Sequence, residues 1–150
     1  MNASPAAAAS RQYATFRVGD HYLGIGVLEV QEVLKEQRLT PVPLAHPVIA
    51  GLINLRGQIV PELDVRRLLH LPPRAAEATT FSVVVRTEHG AVSLLVDEID
   101  DVLELDASSF EHPPKNLDAM VRPLLLEVHR LEGRLLLVLD VRRTVELNPL

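Results

Sequence analysis

The chain has 150 residues, 20 acidic and 15 basic side chains for a net charge of −5, 47 % hydrophobic residues and no cysteine. That length suits one domain or two small ones sharing a core, and that apolar content excludes the disordered class. The missing cysteines remove disulfide frameworks and thiolate metal sites, neither charge sign is blocked into a nucleic-acid grip, and no apolar run approaches the about 20 residues that cross a bilayer.

The opening Met1–Ser10 is rich in Ala and Ser without periodicity, which places a mobile tail at 1–12 and a folded domain at 13–150. No basic-then-apolar leader precedes Tyr13, so the expected location is cytoplasmic. From Tyr13 a strand pattern begins. Ala14, Phe16 and Val18 alternate with Tyr13, Thr15 and Arg17, and further on Phe81, Val83 and Val85 alternate with Ser82, Val84 and Arg86. Both segments read as strands with two distinct faces. Turns fall at Gly19-Asp20 and His89-Gly90. Gly24-Ile25-Gly26 is too short for a phosphate loop and reads as room for close packing at a barrel bend. Leu135–Leu139 and most of Val92–Val96 are apolar throughout, as suits strands covered on both sides.

The chain is internally duplicated. Leu63-Asp64-Val65-Arg66-Arg67 returns unchanged as Leu139-Asp140-Val141-Arg142-Arg143, an offset of 76 residues that also superposes Leu55 on Leu131 and Gly57 on Gly133. Each copy reads as strand, tight turn at Gly, apolar strand and a helical turn capped by Asp64 or Asp140. Behind the caps, Val65, Leu68 and Leu69, or Val141 and Val145, face inward. The earlier part of each half aligns at 69 instead, placing Arg17 on Arg86, Ile25 on Leu94, Val27 on Val96 and Val33-Leu34 on Val102-Leu103. Seven extra residues therefore belong to the second half, expected in the loop from Ala107 to Asn116 with its Pro113 and Pro114. Short strands, Gly turns and a repeat predict an all-β fold with short helices, built as two five-stranded barrels packed as one unit.

No constellation of catalytic groups stands out. The six histidines never lie two or four apart, so no zinc pattern forms, and there is neither a Gly-rich phosphate loop nor a Gly-x-Ser-x-Gly elbow. Hence no enzyme, no metal and no cofactor are expected. Asp97, Glu98, Asp100 and Asp101 are oxygen ligands that suit a divalent cation, but EF-hand spacing is absent and the solvated strand end is the expected reading. His46, before Pro47, reads as a loop residue with a satisfied ring.

Where the duplicated halves disagree, the disagreement is in charge. Glu32 aligns with Asp101, but Arg56 aligns with Glu132, so an opposite-charge pair available in the first half has no counterpart in the second. Arg56, next to the turn in Asn54-Leu55-Arg56-Gly57, is positioned to pair with Glu32 across neighbouring strands while staying within reach of a partner. Val30 is expected on the same face as Glu32 at a spacing of two, with Ile99 at the position that repeats Val30 and Val102 three residues further on, giving aliphatic side chains beside an exposed charge.

These residues resemble the CheW coupling proteins of bacterial chemotaxis from about Tyr13 to Leu147. The most specific stretches are Tyr22-Leu23-Gly24-Ile25, Val30-Gln31-Glu32-Val33, Pro43 with Pro47, Gly51-Leu52-Ile53-Asn54-Leu55-Arg56-Gly57-Gln58-Ile59-Val60-Pro61 and Leu63-Asp64-Val65-Arg66. The resemblance implies two intertwined SH3-like five-stranded barrels, a scaffold without catalysis, and partners that are the histidine kinase CheA, through its regulatory domain, and methyl-accepting chemoreceptors. It implies a location at receptor arrays on the inner face of the membrane. A receptor groove between the barrels would involve Val30, Glu32, Arg56, Ile59, Ile99 and Val102, and Gly51 would mark the kinase contact. An adaptor of a related chemosensory system, such as pilus-based motility, is the alternative. The loop from Glu111 to Asp118 and the hairpin at His129–Arg134 follow no family pattern.

Overall fold

The computed structural model describes residues 10–148, so the stretch read as a tail lies outside the described residues up to Ala9. Strand β1 (Ser10–Val18) turns at Gly19-Asp20 into β2 (His21–Gly26), and a 3₁₀ turn at Val27–Glu29 leads to β3 (Val30–Lys35). A two-residue turn joins β4 (Ile49–Leu55) to β5 (Gln58–Asp64), which runs into the short helix α1 (Val65–Leu68). The second repeat supplies β6 (Phe81–Thr87), β7 (Gly90–Val96), β8 (Glu98–Asp106), β9 (Leu125–Leu131), β10 (Arg134–Leu139) and helix α2 (Val141–Leu147). The additional residues of that repeat lie in the connection from β8 to β9, which carries 3₁₀ turns at Ala107–Ser109 and Arg122–Leu124.

The repeats exchange strands. One five-stranded sheet has the order β3-β6-β7-β5-β4 and the other β8-β1-β2-β10-β9. Each sheet thus takes three strands from one repeat and two from the other, and the two orders become identical when equivalent strands are superposed. The contributions join through antiparallel ladders, β3 with β6 and β8 with β1, and through parallel ones, Leu63 beside Leu94 in the first barrel and Leu137 beside Leu23 in the second. The sheets curl without a continuous ladder between their edge strands. Closure comes from one backbone bridge in each: Thr40 pairs with Leu52 in the first barrel, and Phe110 with His129 in the second. The closing bonds are equivalent, since the carbonyls of Leu52 and Val128 accept from Thr40 N and Glu111 N at 2.8 and 2.9 Å.

Alternation along each strand fills two kinds of interior. Phe16, Val18, Leu23, Ile25, Val83, Val85, Leu94 and Leu137 form a core shared by both sheets. The opposite faces line the barrel interiors: Tyr13, Tyr22, Leu136 and Val138 in the second, and Ile53, Leu55, Val60 and Val84 in the first. The faces read as polar alternates in β1 and β6 are therefore buried too, because curling encloses the concave side of each sheet; Thr15 and Ser82 are 1 % and 0 % exposed. Gly24 is where the strand must stay bare, since a Cβ there would meet Leu136 Cδ1 at 3.2 Å.

Both repeated Asp residues cap their helices: Asp64 Oδ1 accepts from Arg66 N and Asp140 Oδ1 from Arg143 N, each at 3.0 Å. Val65, Leu68, Leu69 and Val141 are buried behind them, and Val145 packs partly against the shared core. The caps differ in what else they hold. Asp64 Oδ2 also receives Arg74 Nη1 at 3.2 Å and lies 3.5 Å from Arg67 Nε, and Arg74 in turn reaches Asp97. Asp140→Ala is expected to destabilise by about 1 kcal/mol, the loss of a cap alone, and Asp64→Ala by more, because it also strips Arg74 of one carboxylate. Urea unfolding of the two variants checks that order, which equal losses would overturn.

Candidate protein-docking surface

The turn between β4 and β5 consists of Arg56 and Gly57 with φ of +50° and +90°, the signature of a type I′ hairpin. A left-handed arginine is strained, and the turn is held by Asn54 Oδ1, which accepts from Gly57 N at 2.8 Å. The equivalent Glu132 does not share the positive φ. Arg56 makes a bidentate ion pair with Glu32, Nη1 to Oε1 at 3.3 Å and a second, shorter contact from Nη2 to Oε2. Hydrogen bonding from Arg56 holds the Glu32 carboxyl below its ordinary range, and Glu32 raises Arg56 in return. The expectation that this pair spans neighbouring strands is corrected: β3 is one edge of its sheet and the β4–β5 hairpin belongs to the other, so the ion pair crosses the open seam of the barrel. Arg56 keeps 71 % of its side chain exposed against 22 % for Glu32, leaving the guanidinium open to a partner.

The aliphatic members of the expected site divide by depth. A bulge between Val30 and Glu32 breaks the two-residue alternation, so the expectation that they share a face is corrected: Val30, opposite Val85, packs on the shared core, while Glu32 points with Leu34 to the first barrel's interior side. The same bulge recurs in β8, where Ile99 lies opposite Phe16 and Val102 opposite Ala14. Val30 and Ile99 therefore reach the shared core from the two sheets. Val102 continues the same face and is 58 % exposed, and Ile59, on the face of β5 that carries Leu63, is 59 % exposed. Val33 is the repeat partner of Val102 and is likewise exposed; the 69-residue offset already paired the two, so it belongs with this surface.

Gly51 is buried and cannot itself touch a partner. It has φ +155° beside a register shift in β4, and a Cβ there would meet Thr40 O at 2.8 Å and Leu39 Cβ at 3.2 Å. A side chain at this position acts by displacing the segment that closes the first barrel. The acidic group near β8 is also accounted for. Asp97 accepts from Arg66 Nε, Arg74 Nε and Gly19 N at 3.2, 3.0 and 2.8 Å. Burial pushes its carboxyl up, yet these partners hold it net below its ordinary range. Glu98 and Asp100 pair with Arg17. Arginines thus hold these three carboxylates, and the solvated strand end expected here is corrected for Asp97, which is largely covered by Arg66 and Arg74; no cluster of three or more His, Cys, Asp or Glu occurs among the described residues. His46 Nδ1 accepts from Val48 N at 3.2 Å, the satisfied loop ring expected.

Two buried polar groups escaped the sequence reading. His129, fully buried in the second barrel, has Nδ1 at 2.6 Å from Ser109 Oγ and packs against the rings of Tyr13 and Phe110. Glu62 is fully buried in the first barrel, where its Oε2 accepts from Ser82 Oγ and Ser93 Oγ at 2.5 Å each. Neither was legible locally, because the concave face of a curled sheet follows the same period as an exposed one.

A double β scaffold with a shared core, presenting an aliphatic surface beside an exposed arginine, defines the class: a module built for docking other proteins. Residues 12–148 match the CheW-like domain, and the chain belongs to that family of chemotaxis coupling proteins. It is 30 % identical over 131 residues to the chemotaxis protein CheW of Bacillus subtilis, covering 87 % of this chain and 84 % of that one. It is also 30 % identical to the protein FrzA of Myxococcus xanthus, over 77 % of this chain and 72 % of FrzA. The crystal structure of the scaffolding protein TtCheW from Thermoanaerobacter tengcongensis shares the fold with a TM-score of 0.81, at 22 % identity, covering 93 % of this chain and 95 % of that one. No helix among the described residues is long and apolar enough to cross a membrane.

Burial raises the Glu62 carboxyl above its ordinary range, and the serine hydrogen bonds offset this only in part. The folded state then holds the proton more tightly than the unfolded chain, so this group's contribution is greatest in acid and is lost as pH rises through the folded value. Glu62→Gln removes that loss. The variant should gain stability relative to the parent progressively above about pH 4.3, the ordinary glutamate value. A difference in urea midpoint that stays flat from pH 4 to 8 would show that burial leaves this carboxyl untouched.

Proposed function

We propose that this chain couples the cytoplasmic tips of methyl-accepting chemoreceptors to the regulatory domain of the histidine kinase CheA, working in the cytoplasm at arrays on the inner face of the membrane and adding no catalysis of its own. The observation that carries the reading is the exposure of the aliphatic side chains Val33, Ile59 and Val102, with Val30 and Ile99 packed on the shared core in the same strands as Val33 and Val102, together with the Arg56–Glu32 pair at the seam. Aliphatic side chains supply buried area when a receptor helix docks, and an open guanidinium supplies orientation through charge-assisted hydrogen bonds. Each interface can be weak, because linking receptor and kinase through one body makes the second contact intramolecular.

Arg56→Glu should weaken binding of a soluble receptor tip on the order of tenfold, while the melting curve stays close to the parent's, since exposed ion pairs add little stability. Isothermal titration alongside circular dichroism measures both; normal receptor affinity in the variant would remove Arg56 from the site. Gly51 stands for the kinase side, through the Thr40–Leu52 bridge rather than by contact. Gly51→Ala should therefore reproduce most of the kinase-binding loss of Gly51→Asp, with receptor binding reduced less, and equal losses for both partners would count against the assignment.

A second reading, an adaptor of a related chemosensory system such as pilus-based motility, draws on the similarity to FrzA. A pull-down offering the purified chain both candidate kinases separates the two readings.

A further inference from the structure

A second surface lies at the other end of β5, where the duplicated pentapeptides meet. A cavity of about 470 Å³ is lined by residues of both helices and of the loops that precede β4 and β9. Its members come in repeat-related pairs: Val48 with Leu124 and Arg67 with Arg143, each related by the 76-residue offset. A cavity shared by equivalent residues sits on the pseudo-twofold axis. The repeat builds it with the same bond twice, since the carbonyls of Val48 and Leu124 accept from Asp64 N and Asp140 N at 2.8 Å each. The longer second-half connection then adds Met120, which is 64 % exposed.

The chemistry of this surface is one-sided. Arg67, Arg143, His46 and His70 line it and no carboxylate does among the described residues, in a chain whose net charge is −5. The floor is aliphatic, with Val48, Leu68 and Leu124 beneath Met120 and Leu147. Arg67 is partly engaged, donating to Pro47 O at 2.9 Å and lying 3.5 Å from Asp64. Arg143 makes no ion pair among the described residues, although its neighbour Arg142 reaches Glu146. Its guanidinium therefore has its full fork of donors to offer.

We infer that this basic, aliphatic-floored cavity on the pseudo-twofold axis docks an acidic segment of a partner protein, one that lays an apolar side chain on Val48, Leu124 and Met120 with carboxylates to either side. The two arginines come from the two halves of the repeat, so they address anions flanking an apolar anchor rather than a single charge. The basic rim is exposed throughout, which suits a segment lying across the opening; a small-molecule site encloses about 70–90 % of its ligand. The exposed Met120 above that floor adapts its shape to the anchor. β5 separates the cavity from the Arg56 hairpin by about 20 Å at the rise of a strand, so both surfaces can be occupied together.

The test is fluorescence anisotropy of the full chain with a labelled peptide carrying one phenylalanine between glutamates, beside the same peptide with glutamines. The glutamate peptide should bind and the glutamine peptide should bind about tenfold more weakly, with the affinity falling as salt rises. Arg143→Glu should weaken the glutamate peptide by about the same factor, Met120→Glu should weaken it as well, and Arg56→Glu should leave it unchanged. Arg143 and Met120 are exposed, so melting curves of these variants should match the parent. Equal binding of the two peptides, no binding at all, or loss of binding in Arg56→Glu would overturn the inference. So would phosphatidylserine vesicles captured through Arg143 without peptide binding, or Arg143-dependent self-association in sedimentation, which would assign the surface to a lipid or to a second copy.

Discussion

Everything in this molecule follows from the exchange of strands between its two repeats. A repeat contains five strands, but its first two leave to pair with the other repeat's last three, joined by the antiparallel ladders β3·β6 and β1·β8 and by the parallel ladders β5·β7 and β2·β10. Parallel neighbours cannot be connected by a tight turn, so each join fixes two segments far apart in sequence. The faces of both sheets that are not enclosed by their own curl then have only each other to pack on, which is why the largest cluster draws on both sheets and both helices. Neither repeat owns a complete sheet, and the largest core belongs to both. The surface between them is anchored for the same reason: Val30 and Ile99 pack on the common core, and the exposed Val33 and Val102 stand three residues further along those strands.

Given such symmetry, its violations carry the information. The bulge in β3 has a counterpart in β8, yet it delivers Glu32 to an arginine and Asp101 to none among the described residues. Inside the barrels the divergence is larger. Glu62, Ser82 and Ser93 occupy the positions of Val138, Tyr13 and Gly24, so a carboxyl bonded to two serines in one barrel corresponds to a valine, an aromatic ring and a bare glycine in the other. Tyr13 fills the second barrel and directs its hydroxyl to Glu127; burial first, and then that carboxylate, raise its phenol well above the ordinary value. A carboxyl in an interior lined by Val60 and Val84 works against folding as pH rises, because burial disfavours its charged form more than the two serine hydrogen bonds favour it.

The caps at Asp64 and Asp140, the hairpin at Arg56-Gly57 and the twofold repeat were legible because each is written in residues a few positions apart, and turn and cap chemistry is local. The pairing of Arg56 with Glu32 was legible as an asymmetry of charge, but its geometry was not: two residues at opposite edges of a sheet meet only if the sheet curls, and no short window encodes that. The bulges were hidden for a related reason, since one extra residue in β3 changes which face Glu32 takes without altering composition. Asp97 looked solvated because Arg66 and Arg74, which hold it, arrive from segments 31 and 23 residues away. The CheW-like stretches nominated docking residues before any coordinates did; Val33, exposed at the position that repeats Val102, joins that proposal, and Gly51 enters it through the Thr40–Leu52 bridge rather than by contact.

An adaptor that must hold two partners at once gains from placing its exposed charges on separate ends of a stiff element. β5 does this: Arg56 precedes it and Arg67 follows it, in a strand bonded on both sides by β4 and β7. The cation at the hairpin is compensated by Glu32 and so presents a directional fork with little net field. The cations at the helical end are less compensated and lie beside an apolar floor, which attracts acidic segments from a distance and holds them by desolvation once they arrive. Screening at physiological salt decays over about 8 Å, shorter than the strand that separates the two ends. Each surface therefore answers to its own partner's charge, and binding at one leaves the electrostatics of the other intact.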